Sequence, residues 1–245
     1  MKINLKDLKY PGKNTEVDVN GQAGQDLFVI AMLEGKTDGQ WLEFGCGGPF
    51  HENNTLTLEK QFRWSGTSID IQGSQILYSS LTMEQEWKQY RPGAKFCNMD
   101  ATFYDFSLLQ QRVDYLQIDL DNPDLALDIL KKFTQNNKFS VMTFEHDYWI
   151  HTCSSRLTGQ RNHRGPVVRQ LARDYLENLG YVLLAADVVI DPTSSGAVHN
   201  PPGMPPIYFE DWWVDPVVVS ADIIKTYHCP ESLIPDKYWK KILLS

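Results

Sequence analysis

The sequence has little of what marks a secreted, membrane-spanning or nucleic-acid-binding chain. Its four cysteines, Cys46, Cys97, Cys153 and Cys229, lie far apart and form no CxxC pair. No zinc framework or disulfide scaffold is therefore indicated. No apolar run approaches the ~20 residues that span a bilayer, and Met1 to Asn20 is polar and charged rather than signal-like. Positive charge is scarce, with 23 Lys and Arg against 31 Asp and Glu and a net charge of −8. A nucleic-acid groove needs clustered cations to displace counterions, so no nucleic-acid partner is expected. The one basic concentration, Arg156, Arg161, His163, Arg164, Arg169 and Arg173, falls half on a predicted helix and reads as a solvated face. Low-complexity blocks and internal repeats are also missing. The expectation is a cytoplasmic protein.

What is present is a globular composition, 42% hydrophobic and 22% charged over 245 residues, enough for one α/β domain with a substantial core. Residues 1–20 carry no strong pattern and read as an N-terminal extension. A buried helix over Leu27–Leu33 precedes a strand at Gln40–Phe44. Further strands are predicted at Thr67–Ile71, Lys95–Asp100, Val113–Asp119, Phe139–Glu145 and Tyr181–Ile190. Between them lie helical stretches near Asn53–Phe62, Ser80–Tyr90, Pro123–Phe133 and Pro166–Leu179. Asn122-Pro123 suits a helix start, and Arg91-Pro92-Gly93 a stop. Residues 191–207, rich in Pro, Gly and Ser, read as a lid or insertion, after which the chain returns through the apolar runs Ile207–Val214 and Val217–Val219. Strands alternating with helices predict a mostly parallel sheet covered on both faces.

The stretch from Gln40 to Asp70 organises the rest. An apolar run ends in Glu43-Phe44 and the glycine cluster Gly45-Cys46-Gly47-Gly48, and a second apolar run ends in Asp70. Glycines let a ligand approach the backbone at a strand end, and a carboxylate about twenty residues on accepts hydrogen bonds from ribose hydroxyls. Five predicted strands end in acids: Glu43, Asp70, Asp100, Asp119 and Glu145. Acids also favour turns and caps at such places. As an ordered set, with glycines only after the first, they point to a ligand site outside the carboxyl ends of the strands.

Glu43-Phe44-Gly45-Cys46-Gly47-Gly48 with Asp70, Asp100 and Asp119 resembles the class I S-adenosylmethionine-dependent methyltransferases. More narrowly, Ala23-Gly24-Gln25-Asp26, Leu42-Glu43-Phe44-Gly45, Asn54-Thr55-Leu56-Thr57-Leu58-Glu59-Lys60, Trp64-Ser65-Gly66, Asp114–Asp119 and Leu179-Gly180-Tyr181 resemble the FkbM family, over roughly residues 21–190. The chain departs from that pattern at Pro49 and at Leu120-Asp121-Asn122. The resemblance implies a Rossmann-like, mostly parallel seven-stranded sheet with an antiparallel last hairpin, the final strand falling within Tyr208–Ser220. It implies S-adenosyl-L-methionine as cofactor and O-methylation of a small-molecule or saccharide hydroxyl. It also implies residue roles. Gly45, Cys46 and Gly47 would pass the methionyl part, with Glu43 orienting the loop. Asp70 would hold the ribose, with Ile71 against the adenine and Asp100 and Ala101 at its edge. Asp119 would sit beside the methionyl amine or the transferred methyl, and Gln25 and Asp26 would close the site from the N-terminal side.

Methyl transfer from a sulfonium asks the protein mainly for alignment and desolvation, and a hydroxyl acceptor gains from a base. Asp119, Glu145 and His146 are the catalytic candidates, His146 the preferred base, with His51 and His151 behind it. Asp119, Asp121, Glu145 and His146 also raise a divalent cation, not favoured because Mg²⁺ prefers all-oxygen ligands. Tyr208 to Trp213 reads either as a stacking surface for a sugar or aromatic ring or as hairpin packing. Two other classes stay open: a non-catalytic binding or scaffold protein of the same fold, and a dinucleotide-dependent oxidoreductase. Against the latter, Phe50 breaks the GxGxxG spacing.

Overall fold

The computed structural model describes residues 2–8, 16–71, 81–105, 107, 112–153, 164–190 and 207–244. In chain order the elements are β1 (Lys2–Asn4), β2 (Glu16–Asp18), α1 (Gln25–Met32), β3 (Gln40–Phe44), α2 (Leu56–Phe62), β4 (Ser65–Asp70), α3 (Met83–Tyr90) and β5 (Ala94–Asn98). There follow β6 (Arg112–Ile118), α4 (Pro123–Thr134), β7 (Lys138–Glu145), α5 (Tyr148–Cys153), α6 (Gly165–Asn178), β8 (Val182–Ile190) and β9 (Ile207–Val214). The chain ends with α7 (Ala221–Tyr227), β10 (Cys229–Ser232) and α8 (Pro235–Leu244). Short 3₁₀ turns lie at Leu5–Leu8 and Ala101–Phe103.

β3 sits near the centre of the sheet, paired with β4 on one side and β6 on the other. Trp41, Leu42, Glu43 and Phe44 are all buried, as expected of a parallel strand covered on both faces. Side chains alternate across the sheet. Trp41 joins Tyr115, Val141 and Trp212 in the core that includes Leu27, Phe28 and Trp239 from α1 and α8. Leu42 and Phe44 join Leu116, Met142 and Phe144 in the core with Leu130 and Phe133 of α4 and Val168 and Leu176 of α6. Local chemistry starts the helices: Asn122 Oδ1 accepts from the amides of Asp124 and Leu125 ahead of Pro123, and Thr82 and Gln85 form a capping box on α3.

The sheet order is β10-β8-β9-β7-β6-β3-β4-β5. The strands β7, β6, β3, β4 and β5 run parallel. β9 lies antiparallel between β7 and β8, and β10 pairs parallel with β8. From β3 the chain builds outward to β4 and β5 on one side and to β6 and β7 on the other. A crevice therefore opens beyond the carboxyl ends of β3 and β6, where ligands of open α/β sheets bind.

The mostly parallel sheet and its antiparallel final hairpin match the expectation, with one addition: eight strands, because β10 extends the edge. Val217 and Val218 are exposed in a turn rather than part of the last strand. Within the 1–20 segment, Leu5, Leu8 and Val17 are buried in the α1-side core, and the Tyr227 hydroxyl donates to the Leu8 carbonyl. The stretch read as a lid, 191–207, lies outside the described residues except for Ile207, which opens β9. No helix among the described residues is long and apolar enough to cross a membrane.

Candidate functional site

The glycine loop after β3 is packed too tightly for any other residue at its start. Gly45 is left-handed (φ 73°), and a Cβ there would lie 1.6 Å from the Asp119 carbonyl oxygen. This contact exists because three strand ends are tied together: Gly45 N–H donates to Ile69 O (2.9 Å) and Asp119 N–H to Phe44 O (3.0 Å). Gly47, also left-handed (φ 61°), donates its N–H to Asp70 Oδ2 at 2.8 Å. The Asp70 carboxylate thus joins the ends of β3 and β4, its Oδ1 accepting from the Ile71 amide (2.6 Å).

Around these groups lies a cavity of about 430 Å³. Of the residues expected to hold a cofactor, Gly45, Asp70, Ile71, Asp100, Ala101 and Asp119 line it, with Ile69, Met99 and Leu125 adding apolar wall. Asp100 lies past the end of β5 rather than in it, where it caps the following turn through Thr102 N (2.8 Å) and Thr102 Oγ1 (2.6 Å). Those two bonds lower its pKa.

Glu43, Cys46 and Gly47 stand behind or beside the cavity. Glu43 is fully buried; Oε2 accepts from Ser68 Oγ (2.7 Å) and Thr55 Oγ1 (3.2 Å), while Oε1 has no partner. Burial pushes its carboxyl up to about 7 against the opposing pull of Ser68, Arg91 and Thr55. Cys46 packs against Met83 and Trp87, and burial raises its thiol well above the usual range. Gln25 faces elsewhere: its Oε1 accepts from the Ala23 amide (2.8 Å), and its side chain meets the buried Glu210.

At the mouth of β6 and β7, Asp119 and Glu145 hydrogen-bond to one another. Burial raises both carboxyls; Asp147 adds to the rise in each and Asp119 to that of Glu145, while the bond from Glu145 pulls Asp119 back. Asp70 is likewise raised by burial.

His146 is not brought to this cavity. Its side chain is fully buried on the α6 side of the sheet, where Nδ1 accepts from the Tyr148 amide (3.2 Å). Nε2 therefore carries the proton and points at Asp211 (3.5 Å) and Asp187 (3.8 Å). Arg173 holds Asp211 (2.6 and 2.7 Å) and Asp187 (3.0 Å), and Arg169 pairs with Asp187. Nε2 makes no hydrogen bond, and the imidazole, enclosed by these two carboxylates, does not line the cavity that holds Gly45, Asp70 and Asp119. Arg169 and Arg173 correct a second expectation, since they face the sheet rather than solvent. Arg164 does reach solvent, paired with Asp124 at 2.8 Å, whereas 156, 161 and 163 lie outside the described residues. His146, Asp187 and Asp211 are close enough to hold a metal ion, but the two arginines already balance both carboxylates. His51 is exposed beside Glu52 (3.9 Å), and His151 falls on α5.

Trp212 and Trp213 are both fully buried, Trp212 stacked on Phe28 at 4.8 Å. With no accessible ring face, they are hairpin and core packing, not a stacking surface. The residues that sequence reasoning missed are those that hold the loop from behind. Asn53 Nδ2 donates to the carbonyls of Cys46 and Gly48 (3.2 Å each), and Trp87 Nε1 to Gly47 O (3.1 Å). Arg91 is also there, fully buried. Asn53 was visible only as a helix-start residue, and Arg91 only as a helix end.

No protein-family model matches the chain, and no curated protein matches it. Solved structures do. The SAH-bound Podospora anserina methyltransferase PaMTH1 superposes with a TM-score of 0.53 at 12% identity, over 79% of this chain and 77% of that one. Cofactor-bound Rv0187 from MTB gives a TM-score of 0.53 at 12% identity, over 86% of both chains. At these identities the likeness is one of fold: the chain has the Rossmann-like α/β fold of class I methyltransferases.

Proposed function

We propose that the chain is an S-adenosylmethionine-dependent methyltransferase of FkbM type that methylates a hydroxyl oxygen of a small molecule or saccharide. The observation that carries this reading is the convergence of Gly45, Asp70, Asp100 and Asp119 on one cavity at the sheet's switch point. Support comes from structural neighbours of the same fold, one described as SAH-bound and one as cofactor-bound. Oxygen as the methylated atom rests on the FkbM resemblance.

The residues fit the cofactor's chemistry. Asp70 offers a carboxylate for ribose hydroxyls, and Ile71, Met99 and Ala101 offer apolar surface for the adenine, with Asp100 at its edge. Gly45 to Gly47 leave room for the methionyl portion, with Cys46 between them. Glu43 Oε1 and Gln117 Oε1, on strands paired in register, are buried acceptors without partners, suited to a cationic neighbour. When bound, the cofactor supplies an electrophilic methyl group on a sulfonium. The acids at the cavity disfavour a polyanionic acceptor. The Asp119–Glu145 pair, its carboxyls raised by burial, is the base that takes up the proton of the acceptor hydroxyl. His146 fixes the turn after β7, its amide donating to Phe209 O (2.8 Å).

Photocrosslinking of radiolabelled S-adenosylmethionine tests the reading. Label captured and displaced by S-adenosylhomocysteine, but not by NAD, is the expected result. Displacement by NAD instead would overturn it in favour of a dinucleotide site, and no label at all in favour of a binding or scaffold role.

A further inference from the structure

Arg91 sits in an unusual place for a guanidinium. It closes α3, yet its side chain is 0% exposed, inside the protein beneath the glycine loop. Burying an arginine is costly unless its charge and its donors are matched. Here they are. Nε donates to Glu59 Oε2, Nη1 to Asn53 Oδ1 (2.8 Å) and Pro49 O (3.1 Å), and Nη2 to Thr55 Oγ1 (2.9 Å). The guanidinium also lies 4.7 Å from the Trp87 ring centroid and 5.8 Å from that of Trp41.

Nε is held by Glu59, and the bonds from Nη1 and Nη2 lead to the cofactor loop. The bond to Pro49 touches it directly. Because Nη1 donates to Asn53 Oδ1, the Asn53 amide cannot turn over, and its Nδ2 must face the carbonyls of Cys46 and Gly48. Thr55 Oγ1, which accepts from Nη2, reaches Glu43 Oε2 at 3.2 Å.

We propose that Arg91 is the positioning residue of the cofactor site, fixing the glycine-loop carbonyls through Asn53 and the Glu43 carboxylate through Thr55. This rests on the cofactor reading given above and adds how the site is held in shape. Glu43 faces Ser68 from β4, Thr55 from the head of α2, Arg91 from the end of α3, Tyr115 from β6 and Asp119 just past it, with Cys46 beside it. Of these, Arg91 is the cation. It opposes the burial that lifts the Glu43 carboxyl to about 7, so its loss moves Glu43 protonation to higher pH.

The test is calorimetric titration of S-adenosylhomocysteine into the full chain at several pH values between about 6 and 9, with thermal melts as the check on folding. Wild type binds, and more weakly as pH falls through about 7. Arg91→Gln weakens binding at pH 7 about tenfold or more, from the loss of charge-assisted bonds, and moves the pH midpoint upward. Arg91→Lys keeps the charge, so its midpoint stays near wild type while its affinity falls, since one ammonium cannot span Pro49, Asn53 and Thr55. Thr55→Val, close in shape, loses affinity without loss of fold and carries the test if Arg91→Gln does not fold. A merely structural arginine would lower melting temperatures and leave the midpoint in place. Wild-type affinity and midpoint in both Arg91→Lys and Thr55→Val overturn the proposal. Absence of binding to wild type overturns the cofactor reading itself.

Discussion

Replacing Gly45 by alanine puts a methyl group where the Asp119 carbonyl oxygen lies, 1.6 Å away. An ordinary contact needs a separation of roughly twice that, so β3 and β6 must part at their carboxyl ends. Two costs follow. The left-handed backbone at φ 73° disfavours any Cβ by ~1–2 kcal/mol. Parting β3 from β6 also gives up the bond from Asp119 N–H to Phe44 O, about 1 kcal/mol and more where the groups stay buried. The expected loss is about 3 kcal/mol. Gly180 supplies the control, since it is left-handed too (φ +87°) with nothing within 4 Å of the added Cβ. Gly180→Ala should therefore cost only the backbone part, ~1–2 kcal/mol. Urea unfolding of both variants at equal protein concentration reads the difference, expected at about 1 kcal/mol or more. Equal losses would refute the claim that β3 and β6 close on each other at the glycine loop.

Three further outcomes follow from the buried charges. Arg173→Met leaves Asp211 without its strongest partner and Asp187 with Arg169 alone, and should cost about 3–5 kcal/mol at pH 7, measured by urea melts. Burial alone would lift Asp211; His146 and Arg173 outweigh it and hold the carboxyl well below the usual range. Its contribution is thus present above pH ~4 and lost as pH falls further, so the gap between Arg173→Met and wild type should narrow in acid. Glu210 behaves oppositely. Burial and Asp119 raise it well above the usual carboxylate range, so the folded chain holds a proton there that the unfolded chain releases above pH ~4. Glu210→Gln, which keeps the acceptor for Trp212 Nε1 (2.7 Å), should match wild type near pH 4 and become progressively more stable than it as pH rises. A constant offset across pH would contradict a protonated Glu210. Prior treatment with EDTA should leave S-adenosylhomocysteine affinity unchanged, and loss restored by Mg²⁺ would point to a cation at Asp119 and Asp121.

How much of this was legible in the chain depends on how local the signal was. β3 runs over Gln40–Phe44 as read from sequence, because a fully buried strand between Gly39 and Gly45 is bounded by residues that cannot extend it. Asn122-Pro123 started α4 as expected through its own side chain. Asp70, Asp100 and Asp119 converge because all three follow parallel strands of one sheet. Long-range pairing was invisible. Arg91 read as a helix stop because its partners Pro49, Asn53, Thr55 and Glu59 lie 32 or more residues upstream. Arg169 and Arg173 read as a wet face because Asp187 and Asp211 stand on strands formed later in the chain. His146 sits apart from the cavity because Asp187 and Asp211, on strands that follow it in the chain, enclose its imidazole. The last helices had local marks that went unread: Ser220 caps α7 through the Ile223 amide (3.3 Å), and Pro235 opens α8.

The central claim is that Asp70 and the glycine loop build a site for the methyl donor. Calorimetric titration of S-adenosylhomocysteine into wild type and Asp70→Ala tests it most directly. The account predicts micromolar binding to wild type, lost or weakened at least tenfold when the Asp70 carboxylate no longer meets ribose and Gly47. No binding to wild type, or equal binding by a folded Asp70→Ala, would contradict it.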